Sequence, residues 1–195
     1  MSNAILDWHL VKRAGMPSVP TAGTSIHRGY AIAAHPDGSV TVTGELWGTA
    51  DFGDGVTLTN TGQLHDAFVA HYGPNGDCLW AKCSYSYRIA SGKGIVAHKD
   101  GSVTVTGQFG GITDFGNGKT LKSAGKSDVF VARYGPDGSC LWATRAGVSD
   151  SGSGFGIAAH TDGSVTVTGE FAGSADFGNG VTLTSAGLSE AFVAR

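Results

Sequence analysis

Short stretches in which apolar and polar residues alternate, each closed by a glycine-rich turn, recur along this chain. The clearest is Asp-Gly-Ser-Val-Thr-Val-Thr-Gly, unbroken at Asp37–Gly44, Asp100–Gly107 and Asp162–Gly169, with spacings of 63 and 62 residues. Period-2 alternation bounded by turn residues predicts strands, and each repeat divides into four of them. Strand A is a short apolar run (Ala31–His35, Ile95–His98, Ile157–His160). A tight turn with Asp-Gly follows, supplying the positive φ that a hairpin needs. Strand B is Ser-Val-Thr-Val-Thr, with valines on one face and threonines on the other. A long connection (Gly48–His65, Gly110–Ser127, Ala172–Ser189) leads to strand C at Ala67–Tyr72, Val129–Tyr134 and Ala191–Arg195. A second turn, Gly73–Gly76 or Gly135–Gly138, opens strand D at Cys78–Tyr85 and Cys140–Gly147.

Four short antiparallel strands repeating at this period predict an all-β chain of β-propeller blades. The ends refine the count. The third repeat stops at Arg195 without a strand D, while Asp7–Gly15 aligns without gaps on Ser139–Gly147. The chain therefore reads as one repeat domain over 1–195: strand D at 7–15, blades at 30–87 and 92–147, and an incomplete blade at 154–195. Three blades are too few for a ring, since propellers usually have four or more. The two ends are complementary, so head-to-tail contact between copies is expected to close one. The expected assembly is a homodimer with six blades, favoured over a nine-bladed trimer. Its joint would comprise Trp8, Leu10 and Val11 of one copy and Phe192, Val193 and Arg195 of another.

Composition narrows the function classes. The net charge is −3, so nucleic acid is not an evident partner. No apolar run is long enough for a membrane helix, and the N-terminus lacks the basic and apolar segments of a signal peptide; location stays open. Of the three cysteines, Cys78 and Cys140 hold equivalent places in neighbouring repeats. Cys78 and Cys83, five positions apart on one strand, are expected roughly 16 Å apart on opposite faces. Reduced, packed thiols are the expectation rather than a disulfide framework.

The stretches Gly156–Gly169, Asp176–Gly180, Phe130–Gly138 and Leu141-Trp142 resemble the bacterial β-propeller repeat often met in tandem arrays of secreted or surface proteins. The resemblance covers the chain from Asp7 onward. It implies the blade fold and no defined activity. One departure is that His35, His98 and His160 stand where that family usually has Asp or Asn. Residues 92–133 and 154–195 are identical at 30 of 42 positions. Such likeness points to recent amplification or to deliberate design, and the sequence leaves both open.

Four sets of residues carry candidate chemistry. His35, His98 and His160 recur at the end of strand A; they would either ring a channel and take a metal or bond to their own turns. Asp51, Asp114 and Asp176 open Asp-Phe-Gly-(Asp/Asn)-Gly segments, which resemble calcium loops but read more naturally as hairpin turns. Trp47 has Gly110 and Ala172 as its counterparts; it would stack on a sugar ring or cover its own loop. The connection at Met16–Ala22, seven residues longer than its counterparts, would be a binding loop or a linker. No catalytic motif or cofactor signature stands out. The leading expectation is a non-enzymatic, self-assembling propeller scaffold. The alternatives are a carbohydrate- or small-molecule-binding propeller using the B–C and D–A loop face, and a hydrolase or lyase.

Overall fold

The computed structural model describes residues 25–60 and 64–195. The expected strand at 7–15 and the Met16–Ala22 connection lie outside the described residues. The first unit contains β1 (Ile26–Ala34), β2 (Val40–Trp47), β3 (Thr49–Asp51), β4 (Thr57–Thr59), β5 (Asp66–Tyr72) and β6 (Cys78–Cys83). The second contains β7 (Tyr85–Ser86), β8 (Ile89–Ala97), β9 (Val103–Gly110), β10 (Ile112–Asp114), β11 (Thr120–Lys122), β12 (Asp128–Tyr134) and β13 (Cys140–Val148). The third contains β14 (Gly152–Ala159), β15 (Val165–Phe171), β16 (Ser174–Asp176), β17 (Thr182–Thr184) and β18 (Glu190–Ala194).

The main sheets are antiparallel meanders in the orders β1-β2-β5-β6, β8-β9-β12-β13 and β14-β15-β18. The whole described chain is thus all-β in repeated antiparallel sheets, a propeller-like repeat fold. Strand A begins earlier than its apolar run indicates, at Ile26, Ile89 and Gly152. Its polar and glycine-rich first half still pairs with strand B, apart from one bulged residue in each unit.

The long B–C connections are not plain loops. Each folds into a small hairpin, β3-β4, β10-β11 or β16-β17. At each tip an Asp or Asn takes a left-handed backbone conformation (Asp54, Asn117, Asn179) ahead of a glycine that does the same, as Asp-Gly and Asn-Gly turns do. Two of these hairpins reach back to the preceding unit. β10 pairs with β7, the short strand that leads out of β6 of the first unit into the second, and β16 pairs with the end of β13. Consecutive units are thereby stitched by backbone hydrogen bonds as well as by side chains.

In the first two units strand B is covered on both faces, which explains its Val-Thr alternation. In the second unit, Val103 and Val105 join the apolar cluster between the first two units. Thr41, Thr43, Thr104 and Thr106 are buried too and offset the loss of water with hydrogen bonds. Thr43, Thr106 and Thr168 each donate to a strand C carbonyl, those of Phe68, Phe130 and Phe192 at 2.7, 2.9 and 2.8 Å. The next unit's strand A lies over this threonine face. A Cβ on Gly92 would stand 2.1 Å from Thr43 Oγ1, and one on Gly154 equally close to Thr106 Oγ1. Glycine is needed there for close approach, not for its φ.

One expectation is corrected. Cys78 and Cys83 pack in the same apolar cluster, with Ala81, Phe52 and Phe68, and so share a face. Tyr72 opposes Cys78 and His71 opposes Trp80, leaving Leu79 as an extra residue. This bulge shifts the side-chain parity by one. The same bulge recurs at Leu141. All three cysteines are buried, and burial pushes the Cys83 and Cys140 thiols up to about 11.

Candidate functional site

The recurring histidines lie at the end of strand A, before the A–B turn. Each ring is aimed at strand B of its own unit: Nε2 of His35, His98 and His160 lies 2.8, 2.7 and 2.7 Å from Oγ1 of Thr41, Thr104 and Thr166. The turns themselves are capped by aspartates. Asp37, Asp100 and Asp162 each accept the backbone N–H and the hydroxyl of the serine two residues on. The serine bonds hold these carboxyls below the usual range, Asp162 at about 2.

The last residue of this network differs between units. Arg133 and Arg195 bridge to Asp100 and Asp162 at 3.0 and 2.7 Å, and Arg133 also donates to the carbonyl of Gly163 in the next unit. In the first unit His71 takes that place. Its Nδ1 lies 2.9 Å from Thr41 Oγ1, giving a His35–Thr41–His71 chain, and its ring stacks on Trp80 at 5.4 Å. Burial lowers the His71 pKa, and the charge of His35 adds to this. His98 and His160 line one cleft of about 430 Å3 together with Asp100, Arg133 and Asp162. Among the described residues, no three His, Cys, Asp or Glu side chains gather as a metal-ligand set.

Asp51, Asp114 and Asp176 end the first strand of each small hairpin. Each accepts the backbone N–H two residues on, from Gly53, Gly116 and Gly178 at 2.9, 2.8 and 2.8 Å. They sit at separate hairpins and close turns there. Trp47, at the end of β2, is half-buried with its ring edge-on to His65 at 6.5 Å, so it lies against its own B–C loop. Phe192 is buried in the third unit's cluster. Val193 and Arg195 lie on the exposed outer part of that unit.

A second group escaped the sequence reading. In each strand A the register slips by one residue, at Tyr30, Lys93 and Phe155. The first strands of successive units lie against one another, so these bulges form a row along the inner edge. Lys93 Nζ stands 4.9 Å over the Phe155 ring and 3.4 Å from Gln108 Oε1. Burial lowers its pKa, opposed by the carboxylates of Glu170 and Glu45 in the neighbouring units. Arg28 bonds Glu45 at 2.7 Å; burial works against ionising Glu45, but the bonds from Arg28 and Tyr30 together with its other polar neighbours outweigh it and its pKa falls. The available signal was that positions 93 and 108 are among the few that differ between 92–133 and 154–195.

No family model matches the chain. It is 27% identical over 159 residues to an uncharacterized WD repeat-containing protein of Acanthamoeba polyphaga mimivirus, a match covering 72% of this chain and 11% of that protein. It is 39% identical over 85 residues to the regulatory protein FlaEY of Caulobacter vibrioides, covering 42% of this chain and 9% of that one. The chain thus spans about a tenth of the length of these curated relatives. The similarity to a WD-repeat protein and the repeated antiparallel sheets fit a β-propeller repeat protein.

Proposed function

We propose that this chain is a non-enzymatic propeller scaffold whose first and last units bind each other head to tail, two copies completing one ring. One observation carries this reading. Ile95 of the second unit and Val69 of the first are 8% and 3% exposed and share one apolar cluster between the units. Their repeat counterparts at the two ends, Ile32 and Val193, are 64% and 74% exposed. The same contact is made inside the chain and left open in complementary halves at its flanks.

The glycines support the same pairing. Gly92 and Gly154 are filled in by Thr43 and Thr106 of the preceding unit, whereas among the described residues a Cβ on Gly29 would meet only its own unit's Val42, at 3.5 Å. The matching threonine, Thr168, is exposed on the last unit. Complementary faces of one chain generate a heterologous contact, which either closes or grows. Burying Ile32 and Val193 would contribute about 1.5–3 kcal/mol each at every joint. In this reading residues 7–15 of one copy complete the third sheet of the other along β18. The outer edge of β18 pairs with no described residue, and an open edge of that kind invites a strand.

The test is substitution of the two flank residues. Val193→Asp and Ile32→Asp are each expected to reduce the solution mass to that of a single chain, with the β-sheet circular dichroism kept. Retention of the wild-type mass in both variants would overturn the proposal.

A further inference from the structure

We propose, resting on the head-to-tail reading, that the joint is specified by a charge pair: Arg13 of one copy seated on Glu190 of the other. Inside the second unit the corresponding contact is made within the chain. Asp128, the first residue of β12, is buried and takes Nη1 of Arg145 from β13 on its Oδ2 at 2.6 Å. It also accepts the backbone N–H of Ala124 on Oδ2 at 2.9 Å and of Val148 on Oδ1 at 3.1 Å. The first unit solves the same problem differently. Cys83 stands where Arg145 does, and Asp66 accepts from Asn60 Nδ2 at 2.6 Å and the backbone N–H of Ser86 at 2.7 Å.

In the third unit the equivalent acid is Glu190. It accepts the backbone N–H of Ala186 at 2.9 Å, as Asp128 does that of Ala124. No described residue brings a cation to it. The ungapped match of residues 7–15 to 139–147 places Arg13 at the position of Arg145. On the head-to-tail reading an acid on strand C and an arginine on strand D would recur at the joint, with Arg13 supplied by the segment that matches strand D in sequence.

The apolar part of the joint has a matching vacancy in shape. A groove of about 210 Å3 runs beside β18, lined by Trp142, Val165, Val167, Phe177, Phe192 and Ala194 among others. In the other units the start of strand D fills the equivalent place with a cysteine: Cys78 against Phe52 and Phe68, and Cys140 against Phe115 and Phe130. The same match puts Trp8 there. The occupant is therefore residues 7–15 of a second copy, with Trp8 in the groove and Arg13 on Glu190. The pair also sets direction, because it forms only when the last unit of one copy meets the first strand of another.

Charge reversal tests this. R13E and E190R each place like charges across every joint of their own assembly, and each alone is expected to weaken dimerisation at least about tenfold by light scattering across a dilution series. Mixed in equal amounts they are expected to recover the wild-type mass, because one joint then keeps the natural pair and the other carries it reversed. Wild-type dimers with both reversals unaffected would overturn the charge pair and leave the head-to-tail reading standing. Recovery in the doubly reversed chain but not in the mixture would overturn pairing between copies, placing the contact within one chain. A wild type that is itself monomeric at all concentrations would overturn the underlying reading.

Discussion

Trp80 of β6 donates its indole N–H to the carbonyl of Pro136, 2.8 Å away in the turn between β12 and β13. The outer strand of one unit is thereby tied to the next at the end opposite the small hairpins. Its other face stacks on His71, so one side chain links the polar network of the first unit to the frame of the second. Trp80→Phe keeps most of the packing and loses the bond. The expected loss is about 0.5–1.5 kcal/mol, measured by urea denaturation, with the oligomeric mass unchanged.

The histidines predict a pH dependence. His27, His71 and His98 are all held below the ordinary histidine pKa, burial being the first cause in each. The unfolded chain therefore binds protons before the folded one does as pH falls. Stability is full above the ordinary value of about 6.5 and declines as pH falls through the lower folded values. Urea midpoints are expected to drop between pH 7.5 and 5.5. His71→Arg, which installs the residue type found at Arg133 and Arg195, should reduce that drop. The turn aspartates act in a separate, more acidic window, because the serine bonds lower their pKa.

Gly107, which closes the repeated motif of the second unit, is held by sterics. A Cβ there would stand 1.9 Å from the carbonyl oxygen of Ser91 and 2.9 Å from the Phe130 ring. Gly107→Ala is expected to cost about 1–3 kcal/mol or more through overpacking. Gly169 is equally crowded, by Ser153 and Phe192, and should respond alike. Thermal melting of the two variants beside wild type checks both.

Much of the fold was legible because each unit repeats its turn chemistry. Asp-Gly after strand A and Gly-Pro-(Asn/Asp)-Gly after strand C placed both tight turns, and Val-Thr alternation placed strand B. The first half of strand A was not legible: Ile26–Tyr30 and Ile89–Lys93 mix glycine with polar residues, and pairing with strand B rather than local preference makes them strands. The bulges at Leu79 and Lys93 were hidden too, since a register slip depends on the partner strand; the Cys78–Cys83 error followed from the first. The histidine and aspartate positions were visible, but not their partners. Thr41, Thr104 and Thr166 looked like ordinary strand residues, and only the hairpin pairing brings them to the rings. The inner row of Tyr30, Lys93 and Phe155 needed the stacking of units to become a group at all.

The most direct measurement for the central claim is the absolute mass of the intact chain in solution, by light scattering coupled to size-exclusion chromatography. The account predicts one species near twice the chain mass of 19.8 kDa, across the concentrations at which the flank contacts are saturated. A single species that stays at the mass of one chain would contradict it, because Ile32 and Val193 would then remain in water.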